Sequence, residues 1–190
     1  MKEGKIIILS APSGTGKSTI ISHLVKISDL SLGFSVSATS RAPRGEEKDG
    51  KEYYFLSEKE FKEMADRGEF VEWEEVYPGT CYGTLLSEVE RVTHNGRNLI
   101  MDVDVKGALN IKKYFGEKAL AIFVMPPSKE ELEKRLRLRS TDSEESINKR
   151  LAKADFEMSF APRFDTLVVN DELEKAVERT ASLIRDFSSR

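Results

Sequence analysis

Residues 5–19 read KIIILSAPSGTGKST, and residues 20–26 continue as IISHLVK. The run IIIL is typical of a short strand buried on both faces, and IISHLVK has the apolar spacing of a helix. Between them, residues 11–18 match a phosphate-binding loop, in which four variable residues precede Gly-Lys-Ser, although Ala11 stands at the opening glycine position. A strand, a loop and a helix in this order are the context that such a loop requires.

The residue types in this loop suit a nucleoside triphosphate. Gly14 and Gly16 allow the backbone to turn several N–H groups inward, and the following helix adds the positive end of its dipole. Lys17 supplies a positive charge for the β and γ phosphates, and Ser18 is placed to ligate Mg²⁺. If the loop required a positive φ at Ala11, alanine would cost about 1 kcal/mol there relative to glycine. The predicted ATP-binding residues are Ala11, Pro12, Ser13, Gly14, Thr15, Gly16, Lys17, Ser18 and Thr19.

Composition narrows the class of protein. The chain has 190 residues, a length that predicts one domain. It has 30 Lys and Arg against 33 Asp and Glu, and this slightly acidic balance predicts no nucleic-acid partner. No apolar run approaches ~18 residues and no cleavage signature follows the first residues, so we expect no membrane partner. The single Cys81 favours a cytoplasmic location. His23 and His94 lack a second ligand at suitable spacing, and we expect both on helix surfaces rather than in a zinc site.

Four short apolar runs predict an α/β fold with a central parallel sheet flanked by helices. They are KIIILS (5–10), NLIMDVDV (98–105), ALAIFVM (119–125) and TLVVN (166–170). Ser57 with Glu60 and Ser128 with Glu131 have the spacing of capping boxes, and residues 172–187 have the apolar stripe of a closing helix. The core therefore comprises residues 1–33, 97–134 and 151–190.

Two polar regions interrupt this core. Residues 34–96 contain aromatic-rich and alternating pieces around the charged loop RAPRGEEKDGK, and we expect an inserted small, mixed α/β subdomain there. Residues 135–150 begin with Arg-Leu-Arg-Leu-Arg, and we expect a helical lid.

The inserted region contains side-chain donors that suit a second phosphate group. Two guanidinium forks and three hydroxyl groups are available, and planar guanidinium donors match phosphate oxygens well. Taken singly, the arginines also have an ordinary interpretation as part of a solvated loop, and the tyrosines as aromatic residues that cover a sheet. The residues are Ser37, Arg41, Arg44, Tyr53 and Tyr82.

The segment SVSATSRAPRGEEKDGKEYYFL (35–56) resembles the signature segment of guanylate kinases. The resemblance continues in the same order through FVEWEEV, CYGT, LIMDVDVKGALNIK, PPS, RLRLRSTDSEESINKRL and FDTLVVND, and so covers nearly the whole chain. It implies a P-loop NTPase fold, Mg²⁺ as cofactor and the reaction ATP + GMP to ADP + GDP, with dGMP as a further candidate acceptor. It also implies that the five residues above hold the phosphate of GMP, and that Glu72, Thr84 and Asp102 bind the guanine.

The chemistry of guanine agrees with this implication. Its ring N–H and exocyclic amino group lie side by side as donors for Glu72 and Asp102, and its 6-oxo oxygen can accept from Thr84. Adenine presents no ring N–H there, and sites of this kind discriminate by roughly 10⁴. Because Asp102 stands in an apolar run, we expect its carboxylate to be buried and paired or functional.

The resemblance further implies lid arginines that close on ATP and the transferred group. Arg139 and Arg150 match them, with Arg135 as a further candidate. We expect Lys17, Arg44, Arg139 and Arg150 to be catalytic by stabilising charge, without a general base, because the phosphate of GMP is already largely ionised with a second pKa near ~6.

The role of Asp104 stays open. It follows Asp102 by two positions, so we expect both side chains on one face of the strand near its carboxyl end. It either holds Mg²⁺ through water or forms a structural hydrogen bond to the phosphate loop.

Two other functions stay open at this point. One is a kinase for another small phosphorylated acceptor, such as a ribose bisphosphate, and the other is a non-catalytic binding module of the same shape.

Overall fold

A computed structural model of the chain describes residues 3–138 and 144–190. Within these residues the strands are β1 (Ile6–Ser10), β2 (Leu32–Gly33), β3 (Ala38–Thr39), β4 (Tyr54–Phe55), β5 (Phe70–Tyr77), β6 (Thr80–Leu85), β7 (Asn98–Asp102), β8 (Ala119–Met125) and β9 (Thr166–Val169). The α-helices are α1 (Lys17–Leu24), α2 (Glu58–Asp66), α3 (Leu86–His94), α4 (Val105–Phe115), α5 (Lys129–Leu138), α6 (Glu144–Met158) and α7 (Leu173–Ser189). Short 3-10 helices are formed by Ser28–Leu30, Gly116–Lys118 and Ala161–Arg163.

The main sheet is parallel and has the order β2-β7-β1-β8-β9. Its central strand alternates between two hydrophobic clusters. Ile7 and Leu9 pack towards α1 and α7, whereas Ile6 and Ile8 pack towards α3 and α4. This arrangement confirms the predicted α/β fold, and it explains why the strand IIILS carries no polar residue before Ser10.

The second sheet is mixed and has the order β4-β3-β6-β5. Strands β5 and β6 form an antiparallel hairpin, and α2 covers it with Phe61, whose ring stacks on Phe70 with centroids 4.4 Å apart. Cys81 is buried in the same cluster as a free thiol. The aromatic-rich pieces of the inserted region therefore form a small core of their own.

Local signals place several helix ends where the sequence predicts them. Ser57 Oγ accepts from the backbone N–H of Glu60, and the Glu60 carboxylate accepts from the backbone N–H of Ser57, which confirms that capping box. At Ser128 one half of the box is present, because the carboxylate of Glu131 binds Arg135 instead. The closing helix α7 buries the predicted stripe against the main sheet.

One predicted strand is shorter than expected. The run NLIMDVDV leaves the sheet after Asp102, since Asp104 is the N-cap of α4 and accepts from the backbone N–H of Gly107 over 2.7 Å. The prediction that Asp102 and Asp104 share a strand face is therefore wrong. None of the described helices is long and apolar enough to cross a membrane.

Candidate active site

The phosphate loop lies between the end of β1 and the start of α1, at the carboxyl edge of the main sheet. Gly14 and Gly16 have φ values of 92° and 87°, a region that glycine adopts without strain. Thr15 Oγ1 donates to the carbonyl of Pro12 over 2.8 Å and closes the loop. The loop residues 11–19 line a cavity of about 300 Å³. All nine predicted ATP-binding residues thus line one cavity.

The alanine at the opening position causes no backbone strain. Among residues 3–138 and 144–190, Ser31 is the one non-glycine residue with a positive φ. Ala11 is buried and keeps an ordinary backbone conformation, so the energetic cost considered for this position does not arise.

Lys17 links this loop to the end of β7. Its ammonium group forms an ion pair with Asp102 and donates to the carbonyl of Val103 over 3.3 Å. Asp102 is the last residue of its strand and its side chain is 40% exposed. The expectation of a buried Asp102 is therefore wrong, because the apolar run ends one residue before it. The pairing holds the charge of Lys17 at the point where the loop faces the second sheet.

A second cavity of about 370 Å³ opens between the two sheets. Ser37, Tyr53 and Tyr82 reach it from the second sheet and the segment leading into it, and Asp102 reaches it from the main sheet. The two cavities share the wall formed by residues 102–104. Six of the eight residues predicted to bind the acceptor nucleotide line this cavity: Ser37, Tyr53, Glu72, Tyr82, Thr84 and Asp102.

Arg41 stands behind this cavity and is held by four hydrogen bonds. Glu47 accepts from Nη1 over 2.6 Å and from Nη2 over 2.9 Å, Tyr82 Oη accepts from Nε over 3.1 Å, and the carbonyl of Ala42 accepts from Nη1. The guanidinium also lies over the ring of Tyr53, 4.9 Å from its centroid. Because guanidinium has five N–H groups, these contacts leave one for a ligand.

The carboxylate of Glu47 organises the loop that carries both predicted phosphate-binding arginines. It binds the side chain of Arg41 and also accepts from the backbone N–H of Arg44 over 2.8 Å. These contacts lower the pKa of Glu47 to about 2 and raise the pKa of Arg41. The side chain of Arg44 is exposed on the same loop. The sequence predicted two open guanidinium forks, whereas the fork of Arg41 is occupied by Glu47.

The predicted guanine-binding residues Glu72 and Thr84 face each other across β5 and β6. Thr84 is buried and its hydroxyl donates to Glu72 Oε1 over 2.8 Å. Burial raises the pKa of Glu72, and the hydrogen bond from Thr84 partly opposes this shift. The Thr84 hydroxyl therefore has to turn away from Glu72 before it can donate to a base.

Two of the three predicted lid arginines lie on described helices, Arg135 on α5 and Arg150 on α6. Arg135 donates to Glu131 and to the carbonyl of Asn170, and it lies beside Gly14 and Gly16 on the outer side of the phosphate loop. Arg150 is half-buried on α6. Arg139 lies outside the described residues.

Two polar residues near the loop had no place in the sequence prediction. The buried side-chain amide of Asn170 donates to the carbonyl of Thr15 over 2.6 Å. Its position directly after β9, at the same sheet edge as Asp102, was the signal that could have identified it. Glu157 is buried at the wall of the loop cavity, and burial raises its pKa. Nothing in the charged pattern of α6 distinguishes Glu157 from its exposed neighbours.

Comparisons with known proteins agree over the whole length of the chain. The family model for guanylate kinase matches residues 3–187. The guanylate kinase of Porphyromonas gingivalis is 56% identical over 183 residues, which are 96% of this chain and 97% of that protein. The guanylate kinase of Salinibacter ruber is 49% identical over 189 residues, with full coverage of both chains. The crystal structure of guanylate kinase from Anaplasma phagocytophilum is 32% identical and has a TM-score of 0.73, covering 100% of this chain and 89% of that one.

Proposed function

The chain belongs to the guanylate kinase family, and we propose that its two adjoining cavities hold the two nucleotides of the reaction ATP + GMP to ADP + GDP. The protein is an enzyme, an ATP-dependent kinase that phosphorylates GMP. One observation carries the assignment of the cavities: residues 102–104 line both of them, so the donor and acceptor phosphates would meet at this wall. Neither a ribose bisphosphate kinase nor a non-catalytic module is favoured. We place the enzyme in the cytoplasm.

In the donor cavity, the phosphates of ATP would accept from the backbone N–H groups of the loop and from the first turn of α1. Lys17 would leave Asp102 and bind the β and γ phosphates, because a polyphosphate offers more negative charge than one carboxylate. Asn170 supports this geometry by holding the carbonyl of Thr15. A rigid loop positions its donors before the nucleotide arrives, and positioning together with electrostatic stabilisation accounts for most of the catalysis in phosphoryl transfer.

The residues at this cavity fit a magnesium ion. The hydroxyl of Ser18 and the carboxylate of Asp104 both line the cavity, and both are exposed oxygen donors of the kind that Mg²⁺ prefers while it keeps part of its water. We propose that Ser18 would hold the ion directly and Asp104 through water. When bound, the ion would neutralise charge on the β and γ phosphates.

In the acceptor cavity, the phosphate of GMP would bind Ser37, Tyr53 and Tyr82, with Arg44 as its main cationic partner. Arg41 would contribute its charge and its remaining N–H group while Glu47 keeps it in place. Guanine would donate to Glu72 and Asp102, and its 6-oxo oxygen would accept from Thr84.

This arrangement needs no general base. The acceptor oxygen of GMP is largely ionised at neutral pH, since the second pKa of a phosphomonoester is near ~6. The residues therefore have to align two anions that repel each other and to exclude water. We propose that the subdomain 34–96 and the lid 135–150 close over the two nucleotides, with Arg139 and Arg150 stabilising charge on the transferred group.

A panel of acceptors tests the proposed function. ADP release would be measured with GMP, AMP, UMP and a ribose bisphosphate, and we expect turnover with GMP to exceed turnover with AMP by roughly 10⁴. Equal rates with GMP and AMP would contradict the assignment of Glu72 and Asp102. Lys17→Ala should fold but lose most activity, whereas Lys26→Ala, an exposed lysine beyond α1, should keep it. Full activity in Lys17→Ala would exclude the proposed donor site.

A further inference from the structure

Residues 34–37, which we call the crossing segment, connect the main sheet to the second sheet. The segment follows β2 and precedes β3, and it forms no strand of its own. Phe34, Ser35 and Ser37 nevertheless line the acceptor cavity. Its backbone is joined to β4 only at its end, where the carbonyl of Ser37 accepts from Tyr54, so residues 34–36 need other contacts if their side chains are to be held in position.

Those contacts come from a buried carboxylate on α3. Glu88 is 3% exposed, and one of its oxygens accepts from the backbone N–H of Val36 over 2.7 Å. The carboxylate also accepts from Tyr54 Oη over 3.0 Å and from Nε and Nη2 of Arg91 over 2.6 and 2.8 Å. The guanidinium of Arg91 in turn reaches the carbonyl of Phe34 over 3.5 Å. The Glu88–Arg91 pair therefore holds the crossing segment at two backbone atoms.

The hydrogen-bonding capacity of this carboxylate is filled. A carboxylate has about four lone-pair sites, and Glu88 receives four donors from three separate parts of the chain. Burial alone raises the pKa of Glu88, but the hydrogen bonds from Arg91, Val36 and Tyr54 outweigh it and hold the pKa below its usual range. Glu88 thus stays charged in a buried position. Loss of one of its partners would leave a buried charge uncompensated and would destabilise the fold.

The partners of Glu88 are the immediate neighbours of acceptor-site residues. Val36 precedes Ser37, and Tyr54 follows Tyr53. A backbone hydrogen bond of 2.9 Å from Tyr54 to the carbonyl of Ser37 joins the two pairs. Glu88 itself does not line the acceptor cavity. It therefore acts through Val36 and Tyr54 and does not bind a nucleotide.

We infer that Glu88 is a positioning residue for the acceptor nucleotide, which fixes the crossing segment and β4 so that Ser37 and Tyr53 face the phosphate of GMP before it binds. This inference rests on the proposed function of the acceptor cavity. If the segment were released, only the fraction of molecules with both hydroxyls in place would bind GMP well, and the apparent affinity would fall by that fraction. The donor cavity is built from other elements and would not change.

The variant Glu88→Gln tests this role, because glutamine keeps the volume but loses the charge and presents an amide donor to the existing donors. Glu90→Gln is the matched control, since Glu90 is exposed on the same helix. We expect Glu88→Gln to raise the KM for GMP about 10-fold, which corresponds to the loss of one hydrogen bond to a charged group. The KM for ATP and kcat should stay within about two-fold of the wild type, and Glu90→Gln should change none of these values.

Other outcomes of this experiment would overturn the inference. One is a lower melting temperature for Glu88→Gln with an unchanged KM for GMP, because Glu88 would then serve stability alone. Another is an equal rise of KM for both nucleotides. If Glu88→Gln does not fold, Tyr54→Phe removes one of the hydrogen bonds at constant shape, and the inference requires its KM for GMP to rise about three-fold. Wild-type turnover of GMP is measured first, since its absence would contradict the proposed function rather than the role of Glu88.

Discussion

Asp102 connects the two proposed nucleotide sites, and this connection predicts that each nucleotide strengthens the binding of the other. In the structure, the carboxylate of Asp102 is paired with the ammonium of Lys17. Guanine would draw Asp102 away and release Lys17 for the phosphates of ATP. Conversely, ATP would draw Lys17 away and release Asp102 for guanine. By linkage, the factor by which GMP changes the affinity for ATP must equal the factor in the other direction.

The size of this coupling follows from the exposure of the pair. The side chain of Lys17 is 17% exposed and that of Asp102 is 40% exposed, so solvent screens the attraction substantially. An ion pair of this kind stabilises by about 1 kcal/mol, which corresponds to a coupling of about five-fold. Asp102→Asn removes the pair and replaces a charged acceptor of guanine with a neutral one. We therefore expect GMP affinity to fall about 10-fold or more, ATP affinity to stay equal or to rise by up to about five-fold, and the coupling to vanish.

Isothermal titration calorimetry measures these quantities directly. GMP would be titrated into wild type, Asp102→Asn and a control variant, with and without a saturating non-hydrolysable ATP analogue and Mg²⁺, and the analogue with Mg²⁺ would be titrated into the same three proteins separately. Asp186→Asn is a suitable control, because Asp186 is exposed on α7, away from both cavities. The ATP analogue changes the affinity for GMP by some factor in the wild type, and the reasoning is refuted if Asp102→Asn shows the same factor. It is also refuted if Asp102→Asn loses as much affinity for the ATP analogue as for GMP.

Two further variants test residues around the same cavities. Asn170→Ala removes the buried amide bound to Thr15, so we expect a loss of about 1–3 kcal/mol of stability, a lower melting temperature and a higher KM for ATP. Asn110→Ala, at an exposed residue of α4, is the control. An unchanged KM for ATP in Asn170→Ala would contradict the role of Asn170. Glu72→Gln removes a carboxyl whose pKa is raised in the folded state, so the native protein no longer bears the cost of a buried charge at neutral pH. Its melting temperature should exceed that of the wild type at pH 8, the difference should vanish in acid, where Glu72 itself is protonated, and GMP affinity should fall; a pH-independent difference would contradict this reasoning.

The parts of the fold that the sequence predicts best are those fixed by local pattern. The strand from Ile6 to Ser10 can be identified without its neighbours, because burial on both faces requires a continuous run of apolar residues. The phosphate loop can be identified in the same way, because a positive φ favours glycine. The end of β7 differs from the prediction for a local reason as well. Asp104 continues the alternating pattern of the strand and is also a good N-cap residue, and in the structure it begins α4 instead of extending β7. The two-residue strand β2 has too few residues to give any periodic signal.

The sequence predicts which residues come together, but not how they pair. Six of the eight residues predicted to bind the acceptor nucleotide line one cavity, whereas the contact from Glu47 to Arg41 arises in an irregular loop with no periodicity to reveal it. The bond from Asn170 to Thr15 joins residues 155 positions apart, and only the completed parallel sheet brings them together. Such contacts depend on tertiary structure, which one sequence does not display.

Two of the ion pairs that the sequence did not predict have the same effect. Arg41 and Lys17, both proposed to bind phosphate, are each neutralised by a carboxylate of this chain, Glu47 and Asp102 respectively. Because the pKa of Glu47 is about 2, this carboxylate stays ionised throughout the physiological range, and a change of pH cannot release Arg41. The phosphate of GMP would therefore bind the remaining N–H group of Arg41 beside an intact pair with Glu47, with Arg44 as its main cationic partner. At Lys17 the phosphates of ATP would instead replace Asp102, so that nucleotide binding there exchanges one anion for another. In both cases the carboxylate of the chain neutralises the cation while the cavity is empty.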